Sequence, residues 1–344
     1  MGGFVTHFLF IIRMEIFGLI GFLLAGYSVI ANDSLQTLGT WISSNKSVKW
    51  YYLWAFASII LATVIFNGHF SGDVSYGRLE TIPFEAVQWY HVLAPLALVI
   101  LTRFGIPVST SFLVLSVFAS SFILEKMLIK SFMGYGVAAI FAYVVWLIVS
   151  KFINEKTKPN PKYDKLWRIG QWMATGWLWV TWLQHDHANI AVFLPREHSL
   201  LGTSLIVLFY VTVLGWVFKE GGGKIQKLIQ SKSNTKFVRS ATIIDLIYAF
   251  TLYFFKELNN IPMSTTFVFV GLLAGRELGI YTSLLKPNNI KKVFPMIGKD
   301  FLKLLLGIGI SNRFLDSSIL FFNIFERFGR FGRSVTFFEI SGIF

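Results

Sequence analysis

Two aspartates lie in apolar stretches, where a carboxylate can serve as an ion ligand. Asp33 belongs to the segment ANDSLQ (31–36), and Asp186 belongs to the segment QHDHAN (184–189). A carboxylate in an apolar environment is costly unless a cation or a proton neutralises it. Neighbouring amide side chains add oxygen ligands and donors: Asn32, Gln36 and Asn189. We therefore predict sodium ions or protons bound by the two carboxylates together with Asn32 and Asn189.

Two runs of hydroxyl side chains follow prolines, in GIPVSTS (105–111) and NNIPMSTT (259–266). Because a proline removes a backbone donor and suits the start of a helix, the amides and hydroxyls after it are placed to hold an anion. The hydroxyls of a Ser/Thr run often only form hydrogen bonds with nearby backbone carbonyls. Two such runs at matched positions instead favour a role in substrate binding. We predict that six hydroxyls contact the substrate, along with the carboxylates and amides above: Ser109, Thr110, Ser111, Ser264, Thr265 and Thr266.

Two histidines flank the second aspartate, at His185 and His187. Side chains two residues apart on a helix do not face each other, so a shared metal ion would require an unwound backbone. A protonatable His185 would instead allow proton coupling, because the pKa of histidine lies near physiological pH. We include His185 among the coupling-ion residues and predict no metal other than sodium.

The two sets of motifs are spaced alike, which indicates an internal duplication. Asp33 and Asp186 are 153 residues apart, and the two proline-hydroxyl motifs are 155 residues apart. We predict a first repeat over 1–155, a second, inverted repeat over 156–325, and a tail over 326–344. Asp245 and Glu15 also lie in apolar stretches, but neither has an acidic partner at the repeat offset, so we assign them packing or helix-end roles.

The elements that must position these residues are membrane helices. The 344-residue chain is 54% hydrophobic and only 14% charged, against about 25% charged in typical globular proteins. Four runs of at least 20 residues lack Asp, Glu, Lys and Arg: 50–72, 104–124, 131–150 and 199–218. Each can span a bilayer, and the rhythm of a membrane barrel is missing, so we predict an all-α integral membrane protein. The absence of cysteine from the sequence removes thiolate chemistry and cysteine-based metal sites.

Charge and segment length predict the topology. The net charge of +13 sits mainly in short loops, which favours cytoplasmic linkers at 151–168 and 219–240 over a nucleic-acid partner. The same rule places Lys46 and Lys49 on the cytoplasmic side. The segments 86–125 and 241–280 are too long for single crossings and are broken at the hydroxyl motifs, so we predict two re-entrant hairpins. Inverted repeats with broken helices are typical of secondary transporters.

At these motifs the sequence resembles the inorganic phosphate transporter (PiT) family. That family carries G-A-N-D-V-A-N and P-V-S-T-T twice, once in each half. ANDSLQTLGT (31–40) is similar to the first signature with Gln36 in place of Asn, and HDHAN (185–189) to the second with His185 in place of Asn. IPVSTS (106–111) and IPMSTT (261–266) are similar to the hairpin motif.

The resemblance implies symport of an oxyanion with sodium or protons by a multi-pass protein of the plasma membrane. The expected substrate is inorganic phosphate, with sulfate permease as an alternative within the family. The expected partners are the anion and the lipid bilayer; a homodimer stays open, and no cofactor beyond the coupling ions is expected. An alternative of another class is an intramembrane lipid-processing enzyme. The duplication argues against it, since a catalytic site is seldom symmetric, and we predict no catalytic residues.

Overall fold

The computed structural model describes residues 2–103, 109–150, 161–222, 226, 238–283 and 293–309, with side chains from residue 15 onward except those of residues 32, 102, 103 and 161. All regular secondary structure in these ranges is helical. In chain order the α-helices are α1 (Gly2–Ser28), α2 (Ser34–Ser44), α3 (Trp50–Phe70), α4 (Leu93–Arg103), α5 (Thr110–Leu115), α6 (Ser121–Val149), α7 (Asp164–Asp186), α8 (Ala188–Ala191), α9 (Leu200–Lys219), α10 (Val238–Leu258), α11 (Thr265–Ser283) and α12 (293–309).

Five stretches of helix are long and apolar enough to cross a membrane: Glu15–Ser44, Trp50–Phe70, Ser121–Val149, Leu200–Lys219 and Val238–Leu258. Large apolar side chains along these helices face outward, among them Ile59, Ile140 and Leu208. An exposed apolar surface of this kind is stable in lipid rather than in water. The chain is therefore a multi-pass membrane protein, as its composition predicts.

The closest helix packing joins α6 to α11. Gly271, Gly275 and Gly279 form a stripe of small residues along α11, one turn apart, and they lie against the backbone carbonyl groups of α6. Small residues allow membrane helices to approach closely enough for backbone contact. This packing fixes the helix whose first two residues, Thr265 and Thr266, belong to the predicted site.

Three other pairs of helices form the remainder of the core. α7 packs along α10, α1 packs along α4, and α3 packs along α9. Within the predicted halves, α7 with α10 corresponds to α1 with α4, because each pair joins the helix before the aspartate motif to the helix before the hydroxyl motif. The halves thus build their motifs on equivalent pairs.

The two predicted hairpins differ in size. The arms of the first, α4 and α5, have 11 and 6 residues, whereas the arms of the second, α10 and α11, have 21 and 19. At about 1.5 Å per residue the second pair is roughly 30 Å long, close to the thickness of a hydrocarbon core. The re-entrant arrangement and the inversion of the second half stay predictions.

Helix boundaries differ from the predicted ones at two places. α7 begins at Asp164, inside the predicted linker 151–168, and an acidic residue in a first turn suits the positive end of a helix dipole. α6 begins at Ser121, inside the predicted hairpin 86–125, because the Ser120 hydroxyl accepts a hydrogen bond from the Ile123 N–H and starts a new helix there. The predicted tail 326–344 lies outside the described residues.

The carboxylate of Asp73 stabilises the loop over residues 71–88. Asp73 accepts hydrogen bonds from the Ser75 N–H (2.7 Å) and hydroxyl (2.6 Å) and from the Gly77 N–H. Burial alone would raise the pKa of Asp73, but these hydrogen bonds and the charge of Arg196 lower it below its ordinary value. Gly77 has a φ of +80°, which glycine adopts without strain.

The same loop is tied to the second half. Arg78 donates to the backbone oxygens of Asn259 (2.5 Å) and Lys256 (3.1 Å), and the Asn260 side chain donates to Glu80 (2.8 Å). Burial lowers the pKa of Arg78 to about 10, with Glu257 and Glu80 acting in the opposite sense, so the guanidinium stays charged at neutral pH. It holds the end of α10 next to the second hydroxyl motif.

Candidate functional site

The backbone is irregular at both aspartate motifs. In the first half, Val29–Asp33 forms a π-helical segment between α1 and α2. In the second half, α7 ends at Asp186 and the four-residue helix α8 follows. A π-helical turn leaves backbone groups outside the regular ladder and is frequent at functional sites. Both carboxylates are buried, with 6% and 2% of their surface exposed for Asp33 and Asp186 respectively.

Each carboxylate meets a hydroxyl of its own half. The Thr110 hydroxyl donates a hydrogen bond to Asp33 Oδ2. In the second half the Thr265 hydroxyl lies beside the Asp186 carboxylate and interacts with it, but Asp186 Oδ2 lacks a donor with full hydrogen-bond geometry among the described residues. Threonines at the matched positions of the two hydroxyl motifs thus contact the two aspartates.

Each amide meets a hydroxyl of the other half. Gln36 Nε2 donates to the Thr266 hydroxyl (3.2 Å), and Asn189 Nδ2 donates to the Ser111 hydroxyl (3.2 Å). Asn189 Nδ2 also donates to Asp186 Oδ1 (2.9 Å). These bonds connect α2 to the second hydroxyl motif and α8 to the first, so the four predicted patches converge.

The contacts repeat at the offsets found in the sequence. Asp33 and Gln36 are each 153 residues from their counterparts Asp186 and Asn189, and Thr110 and Ser111 are each 155 residues from Thr265 and Thr266. We call these eight residues the paired site. Its aspartate–threonine contacts stay within a half and its amide–hydroxyl contacts cross between halves, which is the pattern expected of two copies facing each other.

Several buried oxygen atoms of the paired site have no hydrogen-bond partner among the described residues. They are Asp186 Oδ2, Asn189 Oδ1 and Gln36 Oε1, and the Ser264 hydroxyl next to the site shares this property. Buried acceptors are normally satisfied, and a set of carboxylate, amide and hydroxyl oxygens suits a hard cation. The residues present therefore fit a bound sodium ion. Groups of three or more His, Cys, Asp or Glu that could hold a metal ion do not occur in the described part of the chain.

The remaining predicted residues have varied surroundings. Ser109 begins α5 and accepts a hydrogen bond from the Phe112 N–H. The Ser264 N–H donates to the Ser131 hydroxyl of α6 (2.9 Å), which fixes the second motif. Asn32 belongs to the π-helical segment, and its side chain lies outside the described residues.

Both histidines contact other parts of the structure. His185 Nε2 lies 2.8 Å from the Leu252 carbonyl oxygen, while His185 Nδ1 has no partner in the described structure. His187 lies between the Val74 carbonyl oxygen (2.7 Å) and the Tyr210 hydroxyl (3.1 Å). Neither ring forms a hydrogen bond with Asp186 among the described residues, so proton coupling through His185 stays a prediction.

Sequence reasoning missed the residues that hold the second motif in place. The Lys130 ammonium donates to Asn259 and Ile261, through the two backbone oxygens (2.9 and 2.8 Å) and the Asn259 side-chain oxygen (2.7 Å). Tyr248 donates from its hydroxyl to the Thr265 backbone oxygen (2.9 Å). The signal available in the sequence for Lys130 was its position directly before the uncharged run 131–150.

The fold can be compared with those of known proteins. Neither a protein-family model nor a curated protein sequence matches the chain. A solved structure described as the sodium-dependent phosphate transporter matches with a TM-score of 0.59, at 16% sequence identity, over 91% of this chain and 99% of that one. The two chains share one fold.

This shared fold confirms the predicted class, an all-α integral membrane protein. It also supports, at the level of the fold, the resemblance to the PiT family drawn from the four motifs.

Proposed function

We propose that the protein is a secondary-active symporter of inorganic phosphate in the plasma membrane. The observation that carries the proposal is the paired site, in which two buried carboxylates, two amides and four hydroxyls meet at matched positions of the two predicted halves. The shared fold with a sodium-dependent phosphate transporter supports it. The plasma membrane and a homodimer stay predictions.

The chemistry of the paired site explains why transport would be coupled. Asp33 and Asp186 repel an anion, so an anion enters favourably only after cations have neutralised them. Asp186 Oδ2, together with the amide oxygens of Asn189 and Gln36, offers ligands for sodium. Cation binding thereby becomes a condition for anion binding, which is the thermodynamic requirement of symport.

The hydroxyls and the carboxylates can each form a different kind of hydrogen bond with the anion. Thr110, Ser111, Thr265 and Thr266 can each rotate a hydroxyl to donate to an anionic oxygen. Hydrogen phosphate also carries an O–H donor, which a carboxylate can accept, whereas sulfate offers acceptors only. Buried carboxylates beside the hydroxyls therefore favour phosphate over sulfate.

Uptake by proteoliposomes tests the proposal. Purified protein is reconstituted, and entry of radiolabelled phosphate and sulfate is measured under an inward sodium gradient, an inward proton gradient, both or neither. We expect sodium-dependent phosphate entry, weaker sulfate entry, and a loss of more than tenfold in Asp33→Asn and Asp186→Asn. Asp164→Asn changes an exposed carboxylate at the start of α7 and serves as the control with normal uptake. Normal uptake by both site variants, or no uptake of either anion under any gradient, would contradict the proposal.

A further inference from the structure

A third buried carboxylate lies outside the paired site. Asp245 of α10 has 1% of its surface exposed. Its two oxygens accept hydrogen bonds from hydroxyls of two other helices, Oδ1 from Thr40 of α2 (2.7 Å) and Oδ2 from Thr175 of α7 (2.5 Å). Both threonines are themselves buried. Asp245 thus joins a helix of the first predicted half to two helices of the second.

Among the described residues, the partners of Asp245 are hydroxyls rather than cations. Within the described residues it forms no ion pair and accepts no hydrogen bond from Lys, Arg or His. α2 contains no charged residue. The helices that pack against α10 also carry titratable and charged groups, and so does α10 itself. They are Glu125, Lys126, Lys130, Tyr135 and Tyr143 on α6; Asp164, Lys165, Arg168, His185 and Asp186 on α7; Arg276, Glu277 and Tyr281 on α11; and Arg239, Tyr248, Tyr253, Lys256 and Glu257 on α10. An ionised carboxylate so placed is costly, whereas a protonated one is not.

The hydroxyl partners suit a carboxyl group that changes its protonation state. An ionised Asp245 accepts from both threonines. A neutral Asp245 accepts from one and donates its own proton to the other, because a hydroxyl is both donor and acceptor. Thr40 and Thr175 can therefore satisfy either form by rotating their hydroxyls.

The oxygens around Asp245 suit a proton better than a metal ion. In the paired site three side-chain acceptors, on Asp186, Asn189 and Gln36, are buried without partners. Around Asp245 each carboxylate oxygen already accepts a hydrogen bond from a hydroxyl, whereas sodium needs several oxygen ligands. A proton needs a single oxygen.

Polar side chains lie one turn before and one turn after Thr40 along α2. On α2, Gln36 lies one turn before Thr40, about 6 Å along the axis, and donates to Thr266. In the other direction Ser44 lies one turn after Thr40 and accepts a hydrogen bond from Gln171 of α7. Gln171 accepts in turn from Asn45 (3.0 Å) at the end of α2, where the exposed Lys46 follows.

We propose that Asp245, held by Thr40 and Thr175, is a proton-binding site between the paired site and the Asn45 end of α2. The carboxylate takes up one proton from water at the Asn45 end of α2 and forms the neutral acid, which donates to one of the two threonine hydroxyls. Release reverses these steps. The role of this proton in transport rests on the proposed function, and proton gradients then add to the sodium-driven uptake.

Infrared difference spectroscopy tests the proton site without any transport. The purified protein is titrated from acid to alkaline pH, and the carbonyl band of buried carboxylic acids is recorded. We expect a band that disappears as the pH rises, is missing from Asp245→Asn, and persists in Asp164→Asn. Asp245→Asn keeps the size of the side chain and an oxygen that accepts from a hydroxyl, and its thermal unfolding verifies that it folds. Identical bands in the wild-type protein and in folded Asp245→Asn would overturn the proposal.

Uptake then tests the role of the proton in transport. The measured quantity is the ratio of phosphate uptake with and without an inward proton gradient, at a fixed sodium gradient. We expect a ratio above one for the wild-type protein and for Asp164→Asn, and a ratio near one for Asp245→Asn. An unchanged ratio in Asp245→Asn, or a ratio of one in the wild-type protein, would overturn the transport role. If no anion enters under any gradient, the proposed function fails and the infrared result alone decides the proton site.

Discussion

The glycine stripe between α6 and α11 gives a quantitative test of the fold that positions the site. A Cβ atom added at Gly275 would overlap the Ala139 carbonyl oxygen, whereas a Cβ at Gly279 would lie 2.7 Å from Trp146 Cβ and 3.0 Å from the Tyr143 oxygen. A Cβ at Gly136, on the partner helix α6, would meet no atom within 4 Å. The three positions therefore form a graded series of alanine substitutions.

The expected energies follow from two opposing effects. Alanine favours a helix over glycine by up to about 1 kcal/mol, so Gly136→Ala is neutral or stabilising. Overpacking costs about 1–3 kcal/mol, and at Gly275 the obstacle is backbone, which cannot change rotamer. We expect Gly275→Ala to be destabilised by about 2 kcal/mol net, and Gly279→Ala to fall between the two, since that contact is longer.

Thermal unfolding in detergent, followed by circular dichroism, measures the series. With a shift of about 2 °C per kcal/mol for a chain of this length, Gly275→Ala should unfold at least about 4 °C below Gly136→Ala. Since α11 begins with Thr265, the same substitution should also lower phosphate uptake. If Gly275→Ala unfolds at the temperature of Gly136→Ala or above it, α6 and α11 are not in the backbone contact described here.

Two further predictions concern the paired site and the 71–88 loop. Thr110→Val removes the hydroxyl that donates to the buried Asp33 carboxylate. Since a hydrogen bond to a charged group contributes about 1.5–3 kcal/mol, we expect the apparent affinity for phosphate in uptake assays to fall about tenfold or more, with the exposed Thr63→Val as the unaffected control. Burial alone would raise the pKa of Asp73, but hydrogen bonds lower it below the ordinary 3.8, and the bond from the Ser75 hydroxyl has the largest lowering effect. The ionised carboxylate therefore stabilises the folded state above pH 3.8. This stabilisation is lost as the pH falls through the lowered pKa of the folded protein. The difference in Tm between the wild-type protein and Asp73→Asn should therefore be largest near neutral pH and shrink below 3.8; a difference independent of pH would contradict this assignment.

All eight residues of the paired site belong to the larger set that the sequence predicts. Residue type and spacing selected both aspartates and both hydroxyl motifs, because matched offsets of 153 and 155 residues are informative without any coordinates. Spacing could not tell which amide meets which hydroxyl. The bond from Gln36 to Thr266 spans 230 residues and depends on how two sets of helices pack together.

Asp245 shows where reasoning from the repeat was limited. It has no acidic counterpart at the repeat offset, and on that basis the sequence gives it a packing role. Its partners Thr40 and Thr175 are 205 and 70 residues away, and neither lies in a recognisable motif. A carboxylate whose partners come from helices distant in sequence can be assigned only when the packing of those helices is known.

The two kinds of contact in the paired site respond differently to a movement of the halves. The bond from Thr110 to Asp33, and the contact of Thr265 with Asp186, lie within a half, so they survive when one half moves as a unit. The bonds from Gln36 to Thr266 and from Asn189 to Ser111 cross between halves and must break. Such a movement would also break other bonds between the predicted halves, among them those from Arg78 to Asn259 and from Thr40 to Asp245, so the two amide–hydroxyl bonds, each contributing about 0.5–1.5 kcal/mol, are only part of its cost. An anion bound as proposed would accept from the hydroxyl O–H groups, while the amides donate to the oxygen atoms of the same hydroxyls, because a hydroxyl is both donor and acceptor. Anion binding by itself would therefore leave both amide–hydroxyl bonds between the halves intact.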